Sequence, residues 1–130
     1  MDELEKVRAR FADDKFATEN GAKIEQIDNC YAKCSMELEA KHKNAIGIVM
    51  GGAIFTLADF TFAVASNWNK KPTVTLSSQI SYIGKAKGNK LIAEANCVKE
   101  GRTTCYYIVE VNDELGNQVA NVTVNGFISS

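Results

Sequence analysis

The segment Ala53–Ala65, AIFTLADFTFAVA, narrows most sharply what this chain can fold into. Wound as a helix it is apolar on nearly every side, and only Thr56, Asp59 and Thr61 interrupt it. A helix of that kind is buried all round. The pair Gly51-Gly52 stands at its start, and Asn67-Trp68-Asn69-Lys70-Lys71-Pro72 closes it, with proline as the breaker. The spacing predicts a helix over about 52–67, ~24 Å long at 1.5 Å per residue. Asp59 lies in its middle. A buried ionised carboxylate is costly unless paired or hydrogen-bonded. Either a neighbour such as the Thr56 hydroxyl satisfies Asp59, or the carboxylate is kept for chemistry.

The rest of the chain must supply what covers that helix. Leu4, Val7 and Phe11 recur at helical spacing among charges, which predicts an amphipathic helix over 3–16, ended by Asn20-Gly21, so that 1–20 is an N-terminal helical segment. Cys30, Ala32, Cys34, Met36 and Leu38 alternate with polar residues, as in a half-buried strand. The polar loop KHKNAIG leads to the helix. After Pro72 the segments 74–82, 91–98, 104–111 and 118–128 read as strands, with turns at 84–89, 99–102 and 112–117. One strand, one buried helix and four more strands make an α+β chain. An antiparallel sheet of five to six strands wrapped around the helix buries both. No repeat or second domain is visible, so 1–130 reads as one domain.

Fifteen basic and sixteen acidic side chains leave the chain near neutrality, which argues against a nucleic-acid partner. The N-terminus has no apolar stretch behind a basic start, and no apolar run is long enough for a membrane span. The expectation is a cytoplasmic protein with no membrane partner. There the four cysteines are expected as buried thiols, and Cys30 and Cys34 with a single histidine make no zinc set.

Asn44, Gly47, Met50-Gly51-Gly52, Phe55, Leu57-Ala58-Asp59 and the later LIAEANCVKEGR hairpin resemble the hotdog-fold acyl-CoA thioesterases of the PaaI type. The resemblance runs from about residue 22 to the end. It implies the hotdog fold and hydrolysis of an acyl thioester. It implies no metal and no cofactor beyond the coenzyme A that the substrate carries. It also implies a homodimer, commonly paired into a homotetramer. One position departs. The family often has histidine directly before the two glycines, and this chain has Met50. The departure bears on rate and substrate more than on reaction class.

The chemistry needs a polarised carbonyl and an aimed nucleophile. The leading N–H groups of a buried helix lack partners and carry the positive end of its dipole. Gly51 and Gly52 let a thioester approach that backbone closely. Asn44 can add an orienting amide, and Asp59 is the base or the nucleophile. By the resemblance, Thr75 positions the carboxylate or the water. Asp59 lies eight residues beyond Gly51, about 12 Å along the helix. Reacting groups must come within about 3–3.5 Å, so one helix cannot build the site. A second, antiparallel copy would bring its Asp59 to this chain's Gly51. Each of two equivalent sites would then use Asn44 and Gly51 of one chain and Asp59 and Thr75 of the other.

Met50, Gly52, Phe55, Thr56, Phe62 and Ala63 are expected to line the acyl group, a small aryl or medium-length chain. Lys85, Lys87, Lys90 and Arg102 lie on basic turns able to meet the phosphates of coenzyme A, or to serve as a solvated rim. His42, between two lysines, reads as a solvated turn; Phe60 and Trp68 read as core or interface. A non-catalytic acyl-CoA-binding protein on the same scaffold is the alternative reading. A hydratase fits poorly, because its usual Asp-His pair is missing.

Overall fold

The computed structural model describes residues 1–130. In chain order the elements are α1 (Glu3–Phe11), α2 (Lys15–Glu19), β1 (Ala22–Asp28), β2 (Tyr31–Glu37), α3 (Gly51–Asn67), β3 (Thr73–Tyr82), β4 (Lys90–Glu100), β5 (Thr104–Asp113) and β6 (Gln118–Ile128). A 3₁₀ turn, Ala40–His42, sits in the loop before α3. The strands form one antiparallel sheet in the order β1-β2-β4-β5-β6-β3. Its inner face packs on α3, as a hotdog does. No helix is long and apolar enough to cross a membrane.

The burial of α3 follows from its composition. Leu57, Ala58, Val64 and Ala65 are fully enclosed, and the sheet meets them with Ala93, Ala95, Val109 and Val122. The hydroxyls on the helix do not break this core. Thr56, Thr61 and Ser66 each donate to the carbonyl four residues back, at 2.7–2.8 Å. A hydroxyl satisfied by its own helix is cheap to bury. Thr56 is therefore unavailable as the partner of Asp59.

Two expectations about the N-terminal third need correction. The helix predicted over 3–16 is two helices. Asp2 caps α1 through its side chain, Val7 and Phe11 bury its inner face, and the chain then turns at Asp13. Two aspartates at the negative end of α1 oppose its dipole, and α2 restarts beyond them. The strand β1 was absent from the pattern. Its register shifts between Ile24 and Gln26. That bulge breaks the two-residue alternation, so Ile24 and Ile27 both pack against the core from an odd spacing. Cys30 belongs to the β1–β2 turn rather than to β2, which begins at Tyr31.

Candidate active site

One stripe of α3 escapes the sheet. Gly52, Thr56, Asp59 and Ala63 recur at helical spacing, and none of them is buried. α2 lies across this stripe and turns it into a groove. One cavity of about 350 Å³ is walled by Lys15 and Phe16 of α2 and by Phe55, Thr56, Asp59 and Ala63 of α3. A second, of about 190 Å³, runs on towards the helix start past Phe16, His42, Met50, Gly52 and Thr56. Phe16 and Thr56 line both.

The helix start is open in the electrostatic sense. Met50 occupies the N-cap and its side chain caps nothing. The first intrahelical bonds run from the Ala53 and Ile54 N–H groups to the Met50 carbonyl. The N–H groups of Gly51 and Gly52 have no partner within the chain. A serine or aspartate at the cap would occupy such donors; a methionine leaves them free. The Tyr82 ring lies close over Gly51 as well. The Tyr82 hydroxyl donates to the Gly51 carbonyl at 3.1 Å, and a Cβ there would lie 2.8 Å from the tyrosine oxygen.

Asn44 closes the loop before α3. Its Oδ1 accepts from the N–H groups of Ile46 and Ile48 at 3.1 and 3.0 Å, closing a tight loop in which Gly47 adopts φ 83. Those bonds fix the amide orientation and leave the Nδ2 donors free. Asp59 has no hydrogen bond or ion pair within the chain, whose two ion pairs are Arg8–Glu25 and Lys70–Glu100. Burial pushes its pKa up from the ordinary carboxylate value, and the negative charge of Asp14 across the groove adds to the shift. A carboxylate tuned upward is a stronger base.

The remaining predicted residues are placed less simply. Thr75 is exposed on β3, an edge strand, opposite Gly126 of β6. No hydrogen bond or cavity of the single chain joins it to Asp59. Phe62 is only 2% exposed and stacks edge-on against Tyr107, with ring centroids 5.2 Å apart. It lies about 80° round the helix from the groove at 100° per residue, so it belongs to the core. Lys85 and Lys87 precede β4 and Arg102 follows it. A strand of that length, about 33 Å at 3.3 Å per residue, separates them, so they form two basic sites and not one. Arg102 instead borders a cavity of about 450 Å³ with Lys70, Lys71 and Glu100.

His42 is the residue that sequence reasoning misjudged. It is 2% exposed. Its Nδ1 accepts from the Glu39 N–H at 2.9 Å, so the hydrogen sits on Nε2, which donates to the Asn20 carbonyl at 2.6 Å. Its own carbonyl accepts from the Met50 N–H at 2.9 Å. The ring thus ties the end of α2 to the loop that delivers Met50 and Gly51. The spacing Glu39-x-x-His42 is that of a capping box and was the available signal.

A six-stranded antiparallel sheet wrapped on one central helix is the hotdog architecture. The chain matches the thioesterase superfamily over residues 46–120. It is 36% identical over 111 residues to a putative esterase of Archaeoglobus fulgidus, covering 85% of this chain and 72% of that one. It is 28% identical over 113 residues to the acyl-coenzyme A thioesterase PaaI of Escherichia coli, covering 86% of this chain and 81% of that one. The solved structure of E. coli PaaI has the same fold, with a TM-score of 0.87 at 23% identity over 99% of this chain and 97% of that one. The structure of smu.793 from Streptococcus mutans, bound to acetyl CoA, aligns with a TM-score of 0.79 at 30% identity, over 85% of this chain and 90% of that one. The chain belongs to the thioesterase superfamily, among the hotdog thioester hydrolases of the PaaI type.

Proposed function

We propose that the protein hydrolyses acyl-CoA thioesters carrying a small aryl or medium-length acyl group, at two equivalent sites of a homodimer. The observation that carries this reading is the pairing of two unpartnered features on α3. The Gly51 and Gly52 N–H groups stand at its start, and the Asp59 carboxylate stands two turns on. An antiparallel second helix would bring each feature to its complement. The exposed edge strand β3, with Val74 and Leu76 58% and 60% exposed, supports pairing there. The acetyl CoA in the S. mutans structure supports the class of ligand.

In this mechanism the thioester oxygen sits at the Gly51 N–H, with the Asn44 amide as second donor. The partner's Asp59 removes a proton from water, which attacks the carbonyl carbon; direct attack by the carboxylate is the competing route. The oxygen gains negative charge in the tetrahedral intermediate, where each preorganised donor contributes about 2.7–4 kcal/mol. Collapse breaks the C–S bond and the thiolate of coenzyme A takes up a proton. The partner's Thr75 holds the water or the carboxylate in line. No metal or further cofactor takes part.

The test is thiol release across acyl-CoAs from acetyl to palmitoyl, with phenylacetyl and benzoyl included, for the wild type and Asp59→Ala. The wild type should turn over aryl or medium-chain members, and the variant should lose about 10²–10⁴-fold in kcat. Tight acyl-CoA binding without turnover would move the reading to a carrier or sensor. A single turnover in ¹⁸O-water tests the direct route: it passes through an aspartyl–acyl anhydride, and water that opens this at the Asp59 carbon leaves label in the carboxylate.

A further inference from the structure

The four cysteines fall into two kinds. Cys34 and Cys105 are buried, whereas Cys30 and Cys97 are partly exposed. The two exposed ones face each other. The β2–β4 register runs Ala32↔Ala95 and Tyr31↔Asn96, and one step further sets Cys30 opposite Cys97. The Cys97 N–H donates to the Cys30 carbonyl at 3.2 Å. That one bond holds Cys30, a turn residue just past the end of the ladder, against Cys97; opposed residues of an antiparallel ladder have Cα atoms about 4.5–5.5 Å apart, within the roughly 4.4–6.8 Å that a disulfide spans.

Three features single out this pair. Cys30 holds φ 57, the only non-glycine residue with positive φ; such strain persists where the surroundings impose it. The Lys70 ammonium, anchored to Glu100 at 3.1 Å, also lies beside the Cys30 sulfur. The Tyr107 hydroxyl is the one buried side-chain polar atom without a hydrogen-bond partner, and Tyr107 pairs with Cys97 across β4–β5. An unpaired buried hydroxyl carries a desolvation cost; aimed at these sulfurs, it is placed to donate to an oxygen formed on one of them. Burial, with Cys30 next in effect, pushes the Cys97 thiol up to about 11.

We propose that Cys30 and Cys97 are a reversible redox modification site that hydrogen peroxide converts to an intrachain disulfide. The Cys30 sulfur, with the Lys70 ammonium beside it, attacks one peroxide oxygen. The O–O bond breaks, Cys30 becomes a sulfenic acid, and the second oxygen leaves as water after taking a proton. The Cys97 sulfur then attacks the Cys30 sulfur. The S–O bond breaks, and the departing hydroxide takes the Cys97 proton as a second water. Two thiols give up two electrons and two protons, and one peroxide is reduced to two waters. Dithiothreitol reverses the bond by exchange. This site stands independently of the thioesterase reading.

The experiment treats the purified protein with hydrogen peroxide, denatures it, alkylates free thiols, and maps peptides by mass. The expected result is a loss of two of four alkylatable thiols and a Cys30–Cys97 cross-linked peptide that dithiothreitol abolishes. Cys105→Ser should leave the cross-link in place. Cys30→Gly removes the sulfur and suits the positive φ, so it should fold at least as well and keep its three thiols after peroxide. Four alkylatable thiols in the treated wild type, a Cys97–Cys105 or interchain bond, or irreversible oxidation of Cys30 without a cross-link would each overturn the proposal.

Discussion

The two ends of α3 are built on opposite plans. At the C-terminal end the Arg10 side chain of α1 and the Asn67 and Trp68 side chains close the last turn. The Asn67 side chain donates to the Ala63 carbonyl at 2.8 Å and to the Thr73 carbonyl at 3.2 Å, and accepts from the Thr73 N–H at 2.8 Å. The Trp68 indole donates to the Asp28 carbonyl, and Arg10 donates to the carbonyls of Asn67 and Trp68, placing a cation at the negative end of the dipole. At the N-terminal end the cap is a methionine, two N–H groups go unpaired, and a groove runs past them. An end closed in this way stabilises the fold. An end left open forgoes stability and keeps donors free for a ligand, the usual exchange between stability and activity.

The sharpest way to break the comparison tests whether the open end and Asp59 act across two chains. Asp59→Ala and Gly51→Val homodimers should each be nearly dead. Subunit exchange should recover about a quarter of wild-type activity, since half the dimers are mixed and each has one intact site. Mixed dimers that form and stay inactive would falsify the shared site. Next in size is an attempt to close the open end. Met50→Ser supplies a side-chain cap for the Gly52 or Ala53 N–H. Thermal unfolding should show a gain of about 1 kcal/mol, while kcat should stay within about tenfold, because the Gly51 N–H that meets the thioester oxygen is not the one capped. Opening the closed end should do the reverse. Asn67→Ala removes four hydrogen bonds and should cost about 2–3 kcal/mol of stability by urea titration. Its kcat should stay within about twofold, because the change is remote from the groove.

The smallest effect sharpens the electrostatics of the groove. Burial raises the Asp59 pKa and the Asp14 charge raises it further. The native state therefore holds this proton more tightly than the unfolded chain does. The group favours the fold at acid pH and opposes it as pH rises through its raised pKa. Asp59 can act as a base only when ionised, so activity rises with pH across the same interval. Asp14→Asn should shift the acid limb of the kcat/KM profile to lower pH. An unmoved limb would remove Asp14 from the site's electrostatics, and raising the salt concentration should shrink the shift in the wild-type comparison.

Much of this was legible before the fold was seen, and the failures have identifiable causes. The helix read over 52–67 begins one residue earlier, at Gly51. Its length and apolar content are local properties that no neighbour had to supply. The four strands after Pro72 follow a clean alternation and were found. β1 was hidden because a bulge shifts its register. Phe62 was assigned to the acyl wall because a helix apolar on all sides gives periodicity nothing to orient; only the sheet, through Tyr107, decides which way that ring turns. His42 looked solvated because its lysine neighbours are exposed, while the carbonyl that buries it, Asn20, lies twenty-two residues earlier.

The sequence by itself determined the buried helix, the alternating strands, the lone carboxylate and the glycines at the helix start, because each depends on the type and spacing of neighbouring residues. The tertiary structure alone decided which stripe of the helix stays open, how α2 roofs it, and which sulfur faces which. Those outcomes depend on contacts between segments far apart in the chain, for which local pattern carries no signal. The proposed shared site would belong to a level beyond both, since the helix sets the distance from Gly51 to Asp59 and a second chain would be needed to close it.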